Sequence, residues 1–454
     1  PRPRPVTGAA GARRATVATA AGEAAEHAEG HRLTELDSGV RVVTEAMPSV
    51  RSIALGFWIG VGSRNEAPEQ AGISHFLEHL LFKGTRRFSS IEIDQIFDAM
   101  GAEINAGTGK ETTSVFSRFL DRHLERALDV MSDMVLRPAY PDIDSERQVV
   151  IEEIAMYEDE PSDKVHDVLA AAIFGDHPLG RPIIGRADVV ASVPVPELAA
   201  YHGERYVPGN LVVAAAGNVD HDHVAALVAR ALEGGSPDGG LEPRGAVPGN
   251  GRPALRFHRK DTEQVHACLG APGIARADER RFALRVLDTI LGGSSSSRLF
   301  QEVREKRGLA YAVYSYTSQF VDSGQVAVYV GTRPDNVAEA MTVIAAELHR
   351  LQEQPVSTAE LERAKENVKG RTALSLESTS SRMNRLGSSV LTGVPVLTPD
   401  EIVAAIDAVT LDDVTALARE LFAPERLSAA AVGGDEDAFR AALEPVSPGL
   451  AAAA

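Results

Sequence analysis

The amino-acid sequence predicts an α+β protein that is built from two similar halves. Short stretches that alternate between apolar and polar residues, or that are rich in β-branched residues, are typical of strands. They are interspersed with longer amphipathic stretches that are typical of helices. The segment 234–253 is rich in Gly and Pro, which favours a linker near the middle of the chain. The order of elements before this segment returns in outline after it, at an offset of about 200 residues, and such a repeat predicts two domains of one fold.

The first half begins with two strands and continues with a mixture of helices and strands. Residues 39–43 and 53–60 carry the patterns of the first two strands, and a short amphipathic helix is predicted after them. Ser89 and Glu92 form a capping box that opens the next helix, and Gly101 follows the last apolar position of that helix. The remaining predicted strands cover 102–108, 113–120 and 211–217, and the remaining predicted helices cover 124–136 and 145–157.

The second half follows the same outline. Its strands are predicted within 254–269 and over 325–331, and its helices over 280–291, 337–351 and 358–370. The predicted organisation of the chain is a disordered tail (1–30), a first α+β domain (31–233), a linker (234–252), a second α+β domain (253–445) and a flexible tail (446–454).

The composition argues against several classes of protein. The chain has 46 Lys and Arg against 64 Asp and Glu, a formal charge of −18, which argues against nucleic acid as the main partner. Its longest apolar stretches are too short for a transmembrane helix. The single cysteine, Cys268, excludes an internal disulfide framework and suits a reducing compartment. The first 30 residues faintly resemble an organelle transit peptide, but we favour the bacterial cytoplasm over the mitochondrial matrix.

The most informative segment is 72–84, which contains His75, Glu78 and His79. Two His residues at positions i and i+4 stand on one face of a helix, as two ligands of a single metal ion must. The apolar residues of the segment form a stripe on the opposite side, so the helix buries one face and presents the other. The order H-x-x-E-H is the inverzincin signature, in which the Glu is placed to accept a proton from a water molecule.

The second half keeps this helix without the metal-binding residues. At the positions of the three motif residues it has Arg285, Asp288 and Thr289. Arg and Thr do not ligate zinc as His does. The sequence therefore predicts one metal site per chain, in the first half.

A catalytic zinc site needs a third protein ligand. The predicted helix 145–157 offers three carboxylates, Glu146, Glu152 and Glu153. Glu146 and Glu153 are two helical turns apart and share a face, whereas Glu152 points about 100° away from Glu153. Helix geometry alone leaves the choice between Glu152 and Glu153 open.

The motif and its spacing resemble a known family. The run from His75 to His79, with Glu153 following 74 residues later (153 minus 79), resembles the M16 inverzincins, the group of pitrilysin, insulin-degrading enzyme and mitochondrial processing peptidase. The run 146–153 looks like the family segment that carries the third ligand. The resemblance implies that Glu153 is the third zinc ligand and that Glu146 is a supporting carboxylate.

A second point of resemblance lies in the other half. Residues 297–311 are similar to the C-terminal motif of the family, in which an Arg and a Tyr seven residues later complete the substrate site. This similarity implies that Arg304 and Tyr311 bind substrate, for which a guanidinium and a hydroxyl are suited. The non-catalytic subunits of the processing peptidases usually lack the metal motif and carry a long Gly-rich loop. Here the metal motif is intact and the segment 292–297 is too short for that loop, so the chain resembles the catalytic, beta-type branch.

The resemblance covers residues 34–440 and also implies a fold and an assembly. Each half is expected to be an α/β sandwich, with an antiparallel-rich mixed sheet covered by helices. Two chains of this length are expected to close around the substrate as a clam shell, as a homodimer or as a heterodimer with a paralogue.

The function that follows from the resemblance is a zinc-dependent metalloendopeptidase acting on short or unfolded polypeptides. Zn²⁺ would be the cofactor, and Glu78 the general base. The strand 102–108 resembles the edge strand that binds an extended peptide in this family, with Asn105 and Ala106 as contacts.

Asp163 and Asp167 fall where processing peptidases carry acids that bind an arginine near the cleaved bond. A pair of carboxylates suits a guanidinium, so we predict a preference for arginine there. The alternative for these two acids is a helix start that complements the helix dipole. The alternatives for the whole protein are a non-proteolytic assembly or core subunit of the same fold and a maturation protease for one cofactor peptide.

Overall fold

The computed structural model describes residues 25–26, 30–141, 143–232 and 252–452 of the 454-residue chain. Most of the predicted tail 1–30 and of the predicted linker 234–252 therefore lies outside the described residues. The described chain forms two sheets, one in each half of the sequence, and helices cover both sheets. This arrangement confirms the predicted α+β class.

The first sheet combines one parallel pair of strands with antiparallel pairs. Its strands are β1 (Ala25–Glu26), β2 (Arg32–Glu35), β3 (Arg41–Ala46), β4 (Ser52–Ile59), β5 (Glu103–Thr108), β6 (Thr113–Leu120) and β7 (Leu211–Gly217). They are ordered β1-β2-β3-β7-β4-β6-β5, and only β3 and β7 pair in parallel. β5 is thus an edge strand. β1 lies within the predicted disordered tail, so that prediction is wrong for Ala25–Glu26, which pair with β2.

The helices of the first half surround this sheet. They are α1 (Ile73–Leu80), α2 (Ser90–Met100), α3 (Leu124–Leu136), α4 (Ile143–Asp159), α5 (Pro161–Phe174), α6 (Ala187–Ser192), α7 (Val195–Arg205) and α8 (His221–Ala231). The four apolar side chains of α1 are buried in the core, whereas its His and Glu side chains stay partly exposed, as the amphipathic pattern predicts. α2 opens with the capping box of Ser89 and Glu92 and ends at Gly101, whose φ is +60°.

The second half contains a smaller sheet and eight described helices. Its strands are β8 (Leu255–Arg259), β9 (Val265–Gly273), β10 (Ala310–Gln319), β11 (Gly324–Thr332) and β12 (Ser428–Gly433). Its helices are α9 (Arg281–Leu291), α10 (Val337–Glu353), α11 (Thr358–Ser375), α12 (Thr379–Thr392), α13 (Pro399–Asp407), α14 (Leu411–Leu421), α15 (Glu436–Ala442) and α16 (Pro448–Ala451), with a π-helical segment at Phe300–Glu305.

The two sheets repeat one topology. The second sheet has the order β10-β11-β9-β12-β8, with β8 and β12 parallel and the other pairs antiparallel. Read from the opposite edge, this order matches β3-β7-β4-β6-β5 of the first sheet, strand for strand. The predicted repeat is therefore confirmed, and the edge strand β10 is the counterpart of β5.

Each half of the sequence also contributes one helix to the other half's sheet. α5 packs on the second sheet through Val165, Leu169 and Ile173, in a cluster that includes Cys268. α12 packs on the first sheet, where Met383 and Leu386 join Trp58 in another cluster. The buried Cys268 is thus part of an apolar layer between α5 and the second sheet. The packed units are not continuous segments of the sequence.

The end of the described chain is packed rather than flexible. The prediction of a flexible tail over 446–454 is wrong for 446–452, because Val446 and Leu450 are buried in the core of the second half and Pro448–Ala451 form α16. Among the helices that the structure describes, none combines the length and the apolar character needed to cross a membrane.

Candidate metal centre

The short helix α1 is held at its start by a buried carboxylate. Glu66 accepts hydrogen bonds from the backbone N–H groups of Gly72, at 2.9 Å, and Ser74, at 2.8 Å. The hydroxyl of Ser74 lies 2.9 Å from that of Tyr201 on α7. Burial raises the pKa of Glu66 to about 7, although the two N–H bonds favour its charged form. These contacts fix the first turn of the helix that carries the HxxEH motif.

Three candidate ligands converge between α1 and α4. The Nε2 atoms of His75 and His79 lie 3.7 Å and 3.3 Å from Oε2 of Glu153. The candidate ligand atoms of the three side chains all lie within 4.8 Å of one another, and no other such group of His, Cys, Asp or Glu occurs in the described parts of the chain. Glu152 is exposed and lies outside the group. Of the two carboxylates that helix geometry leaves open, the packing of α4 brings Glu153 to the His pair.

This set of donors fits a zinc ion. Ligands at the zinc distances of about 2.0–2.1 Å, at the corners of a tetrahedron, are separated by roughly 3.3 Å. The observed separations of 3.3 Å and 3.7 Å are close to that value. Burial and the neighbouring His79 lower the pKa of His75 to about 4, so His75 is neutral at pH 7, as a metal ligand must be. Two imidazoles and one carboxylate form the donor set of a catalytic zinc site with a fourth position open.

A buried carboxylate supports the second histidine. Oε1 of Glu146 lies 2.8 Å from Nδ1 of His79, and Oε2 of Glu146 lies 2.6 Å from Nζ of Lys83. A carboxylate accepts hydrogen bonds, so Nδ1 of His79 carries the proton of this contact, and Nε2 is the nitrogen that can bind a metal ion. The Lys83 ammonium balances the charge of the Glu146 side chain, which is 6% exposed.

The motif carboxylate is held by the edge strand. The hydroxyl of Thr108, at the end of β5, donates a hydrogen bond to Oε2 of Glu78 at 2.5 Å. Burial raises the pKa of Glu78 above its ordinary value, while the Thr108 hydroxyl opposes this shift. Glu78 is close enough to His79 and Glu153 to respond to their charges. A carboxylate in this position can exchange a proton beside the ligand cluster.

The predicted peptide-binding residues lie on the strand next to α1. Asn105 is exposed on β5, and its side-chain oxygen accepts a hydrogen bond of 2.8 Å from the backbone N–H of Ala106. β5 pairs with β6 on one side only. The other edge of β5 is therefore where an added strand would pair.

Asp163 and Asp167 lie in the first two turns of α5, the helix that directly follows α4. Burial raises the pKa of Tyr157, and the charges of Glu153, Asp163 and Asp167 raise it further. Asp163 is exposed. Asp167 is half-buried, and burial raises its pKa against the effect of the Lys110 charge.

The structure places Arg304 and Tyr311 in the second half, against each other. The guanidinium of Arg304 stacks over the rings of Tyr311, at 4.5 Å, and Phe300, at 4.7 Å, and donates to the Tyr311 carbonyl at 3.2 Å. The side chain of Tyr311 is 79% exposed. These described contacts are within the second half, so the structure does not join the two residues to the His75 cluster of the same chain.

Sequence reasoning missed three residues that shape the site, namely Glu66, Lys83 and Thr108. Lys83 follows His79 by four positions, so helical spacing could have suggested that the two share the Glu146 carboxylate. Glu66 lies in a loop and Thr108 in a strand, and nothing in their local sequence signals contact with α1.

Comparison with known proteins identifies the family. The family model described as insulinase (peptidase family M16) matches residues 41–187, and the one described as peptidase M16 inactive domain matches residues 192–368. An uncharacterized zinc protease of Streptomyces coelicolor is 46% identical over 400 residues, which cover 86% of this chain and 87% of the relative. An uncharacterized zinc protease of Bacillus subtilis is 43% identical over 393 residues, covering 85% and 94%.

Solved structures share the fold. A protease from Helicobacter pylori superposes with a TM-score of 0.82 at 24% identity, covering 89% of this chain and 99% of the other. A peptidase M16 inactive domain from Pseudomonas fluorescens gives a TM-score of 0.84 at 20% identity, covering 89% and 98%. The family models match most of the sequence, and the curated relatives align along nearly their whole length. The chain therefore belongs to the M16 peptidase family.

Proposed function

We propose that this protein is a zinc-dependent metalloendopeptidase that hydrolyses peptide bonds in short or unfolded polypeptides. The observation that carries the proposal is the convergence of His75, His79 and Glu153, with Glu78 beside them. The curated relatives named above are called zinc proteases, which supports zinc as the metal. A lone buried cysteine and bacterial relatives favour the bacterial cytoplasm as the location.

The residues of the site divide the work of hydrolysis. His75, His79 and Glu153 would hold the zinc ion, which when bound acts as a Lewis acid and makes water a stronger nucleophile. Glu78 accepts the proton of the attacking water and delivers it to the leaving amine. Glu146 keeps His79 in the tautomer that leaves Nε2 available.

Substrate binding is proposed to use the free edge of β5. An extended peptide would pair with the backbone of β5, including Asn105 and Ala106, and main-chain pairing makes few demands on sequence. Such pairing needs an unfolded segment, because a folded protein seldom offers an unpaired strand.

Asp163 and Asp167 are proposed to give a preference for arginine close to the cleaved bond. The support is their place in the first two turns of α5, directly after the helix that carries Glu153, and the suitability of a carboxylate pair for a guanidinium. The test is the cleavage-site profile of a peptide library with the wild type and with the double variant Asp163→Asn, Asp167→Asn. We expect the sites cleaved by the wild type to be enriched in basic residues, and those cleaved by the variant to be less enriched. Two identical profiles without basic enrichment would remove this proposal.

Arg304 and Tyr311 are proposed to act in an assembly of two chains, most simply a homodimer. Both are solvent-accessible in one chain, and Tyr311 is largely exposed, so a second chain could bring them to the metal site. Light scattering tests this proposal, since a particle with the mass of one chain at working concentration would contradict it. A heterodimer with a paralogue would require that partner for full activity.

The proposed activity is tested with a mixed pool of unstructured peptides, read by mass spectrometry. The wild type and Glu78→Gln are both loaded with zinc and compared. We expect cleavage by the wild type and a loss of about 10²–10⁴-fold or more in the variant, with metal content unchanged. Equal cleavage by both would defeat the role of Glu78. Absence of cleavage by both would favour an assembly subunit or a maturation protease with a single substrate.

A further inference from the structure

The same hydrogen-bonded pair joins helix and edge strand in both halves of the protein. In the first half the hydroxyl of Thr108 on β5 donates to Glu78 on α1, at 2.5 Å. In the second half the hydroxyl of Ser315 on β10 donates to Oδ1 of Asp288 on α9, at 2.6 Å. β5 and β10 are equivalent edge strands, and Asp288 takes the position of Glu78 when the two helices are aligned. The pair is therefore a feature of the repeated scaffold.

The second half shows what this pair does where there are no metal ligands. The hydroxyl of Ser315 also donates to the carbonyl oxygen of Asp288, at 3.1 Å. Just after α9, a Cβ added to Gly292 would lie 2.1 Å from the backbone nitrogen of Ser315, so the helix end and the strand are in close contact. In this half the hydroxyl-carboxylate pair holds the end of the helix against the edge strand.

In the first half the equivalent hydrogen bond is made to Glu78, the proposed general base. A Glu side chain has three rotatable torsions, and a base is effective only when its oxygen lies within hydrogen-bond reach of the proton it takes. The hydroxyl of Thr108 meets the carboxylate of Glu78 at Oε2. This hydrogen bond restrains the direction of the carboxylate next to the ligand cluster, and it is made to Oε2 rather than to Oε1.

We propose that Thr108 is a positioning residue, which aims the carboxylate of Glu78 at the attacking water and couples that base to the strand on which the substrate lies. This inference rests on the proposed function, because it needs Glu78 to be the base. Thr108 ends β5 and also holds the carboxylate of Glu78. A shift of β5, the strand proposed to pair with the substrate, would therefore also shift this carboxylate. Backbone pairing along β5 does not use the Thr108 hydroxyl. Removing this hydroxyl should therefore lower kcat and leave KM nearly unchanged.

The experiment compares three variants with the zinc-loaded wild type on one peptide. Thr108→Val keeps the shape of the side chain without the donor, and we expect kcat to fall about 10–100-fold with KM within about threefold. Thr108→Ser keeps the hydroxyl, and we expect kcat to recover to within about threefold of the wild type. Ser315→Ala removes the equivalent bond from the half without metal ligands, and we expect unchanged kcat with a loss of thermal stability similar to that of Thr108→Val.

Two results would overturn the inference: a wild-type kcat in Thr108→Val, or an equal fall of kcat in Thr108→Val and Ser315→Ala. A readout without activity separates this inference from the proposed function. In a double-mutant cycle of Glu78→Gln and Thr108→Val, measured by unfolding of the zinc-loaded protein, we expect the two effects to be non-additive. Additive effects would refute the contact itself. If the mutant cycle is non-additive but the wild type cleaves no peptide, the proposed function is overturned, while the contact between Thr108 and Glu78 is supported.

Discussion

At the scale of single residues, Glu146 is the best-connected carboxylate of the candidate metal centre. Its side chain is buried between Nδ1 of His79 and the ammonium of Lys83, and both of its oxygens have partners. Such a carboxylate fixes the tautomer and the direction of a ligating imidazole, and a buried acid without cationic partners would be unfavourable. We therefore expect Lys83 and Glu146 to influence metal binding by the candidate ligands.

The first prediction concerns this carboxylate. Glu146→Gln should weaken zinc binding by about 10–100-fold, because a neutral amide is a poorer acceptor for the imidazole N–H. The affinity is measured by competition with a chromophoric chelator. Glu152→Gln is the matched control, since Glu152 is exposed on the same helix outside the ligand group, and it should bind zinc as the wild type does. Equal affinities in the two variants would contradict the role of Glu146.

At the scale of elements, the entry into α1 is the most constrained point of the site. Gly72 precedes the helix with a φ of +103°, and a Cβ there would lie 2.8 Å from the carbonyl oxygen of Ile184. The same residue donates its N–H to Glu66. A change of backbone at this position is therefore expected to move the helix that carries both candidate His ligands.

The second prediction follows from that conformation. Gly72→Ala should lower the free energy of unfolding by about 2 kcal/mol or more, because an L-residue is strained at this φ and meets backbone atoms. It should also weaken zinc binding, since His75 lies in the first turn. Gly203→Ala is the control, because Gly203 is exposed in α7 and a Cβ there meets nothing within 4 Å. Urea unfolding should show the control to be at least as stable as the wild type. A tolerated Gly72→Ala would mean that the loop before α1 can relax.

The third prediction concerns metal removal. The three candidate ligands come from two elements, α1 and α4, so an ion bound to them would cross-link the two helices and stabilise the folded state. After treatment with a chelator, hydrogen exchange should speed up in α1 and α4 while α10, in the core of the second half, keeps its protection. The comparison uses the zinc-loaded and chelator-treated wild type at one pH. Uniform deprotection of all three helices would indicate global rather than local destabilisation.

At the scale of the whole molecule, the two halves are held together because α5 of the first half packs on the second sheet and α12 of the second half packs on the first. The indole of Trp58 in the first sheet packs on α12, where it leaves room only for glycine at position 387. The buried guanidinium of Arg64 adds a second tie, because it bridges Glu111 of the first half and Asp322 of the second at 2.6–2.8 Å. Neither half of the sequence buries its sheet without a helix from the other.

The fourth prediction tests this dependence. Gly387→Ala should destabilise the protein by about 1–3 kcal/mol, because the new methyl would lie 2.3 Å from the Trp58 ring. In the control Gly370→Ala, at an exposed position of α11 with nothing within 4 Å, stability should hold or rise by about 0.5–1 kcal/mol. Denaturant unfolding followed by Trp58 fluorescence and by circular dichroism measures both. Indistinguishable stabilities of the two variants would show that the contact between α12 and the first sheet can adjust.

The sequence by itself determined the local features. Helical spacing put His75, Glu78 and His79 on one face of α1, and the apolar pattern buried the other face, because both depend only on residues within two turns. The capping box at Ser89 and the repeat of elements were likewise legible, and the structure confirms them. The roles given to the site residues remain predictions that the proposed experiments address.

Only the tertiary structure decided which distant groups meet. Glu152 and Glu153 differ by one position, and the packing of α4 against α1 selects between them. The contacts of Glu146 with Lys83 and of Thr108 with Glu78 join different elements, and α5 and α12 cross to the opposite sheets. Val446 and Leu450 reach the core although their local composition suggests a tail. Periodicity records which face of an element is buried, but the partner of that face depends on how the whole chain packs.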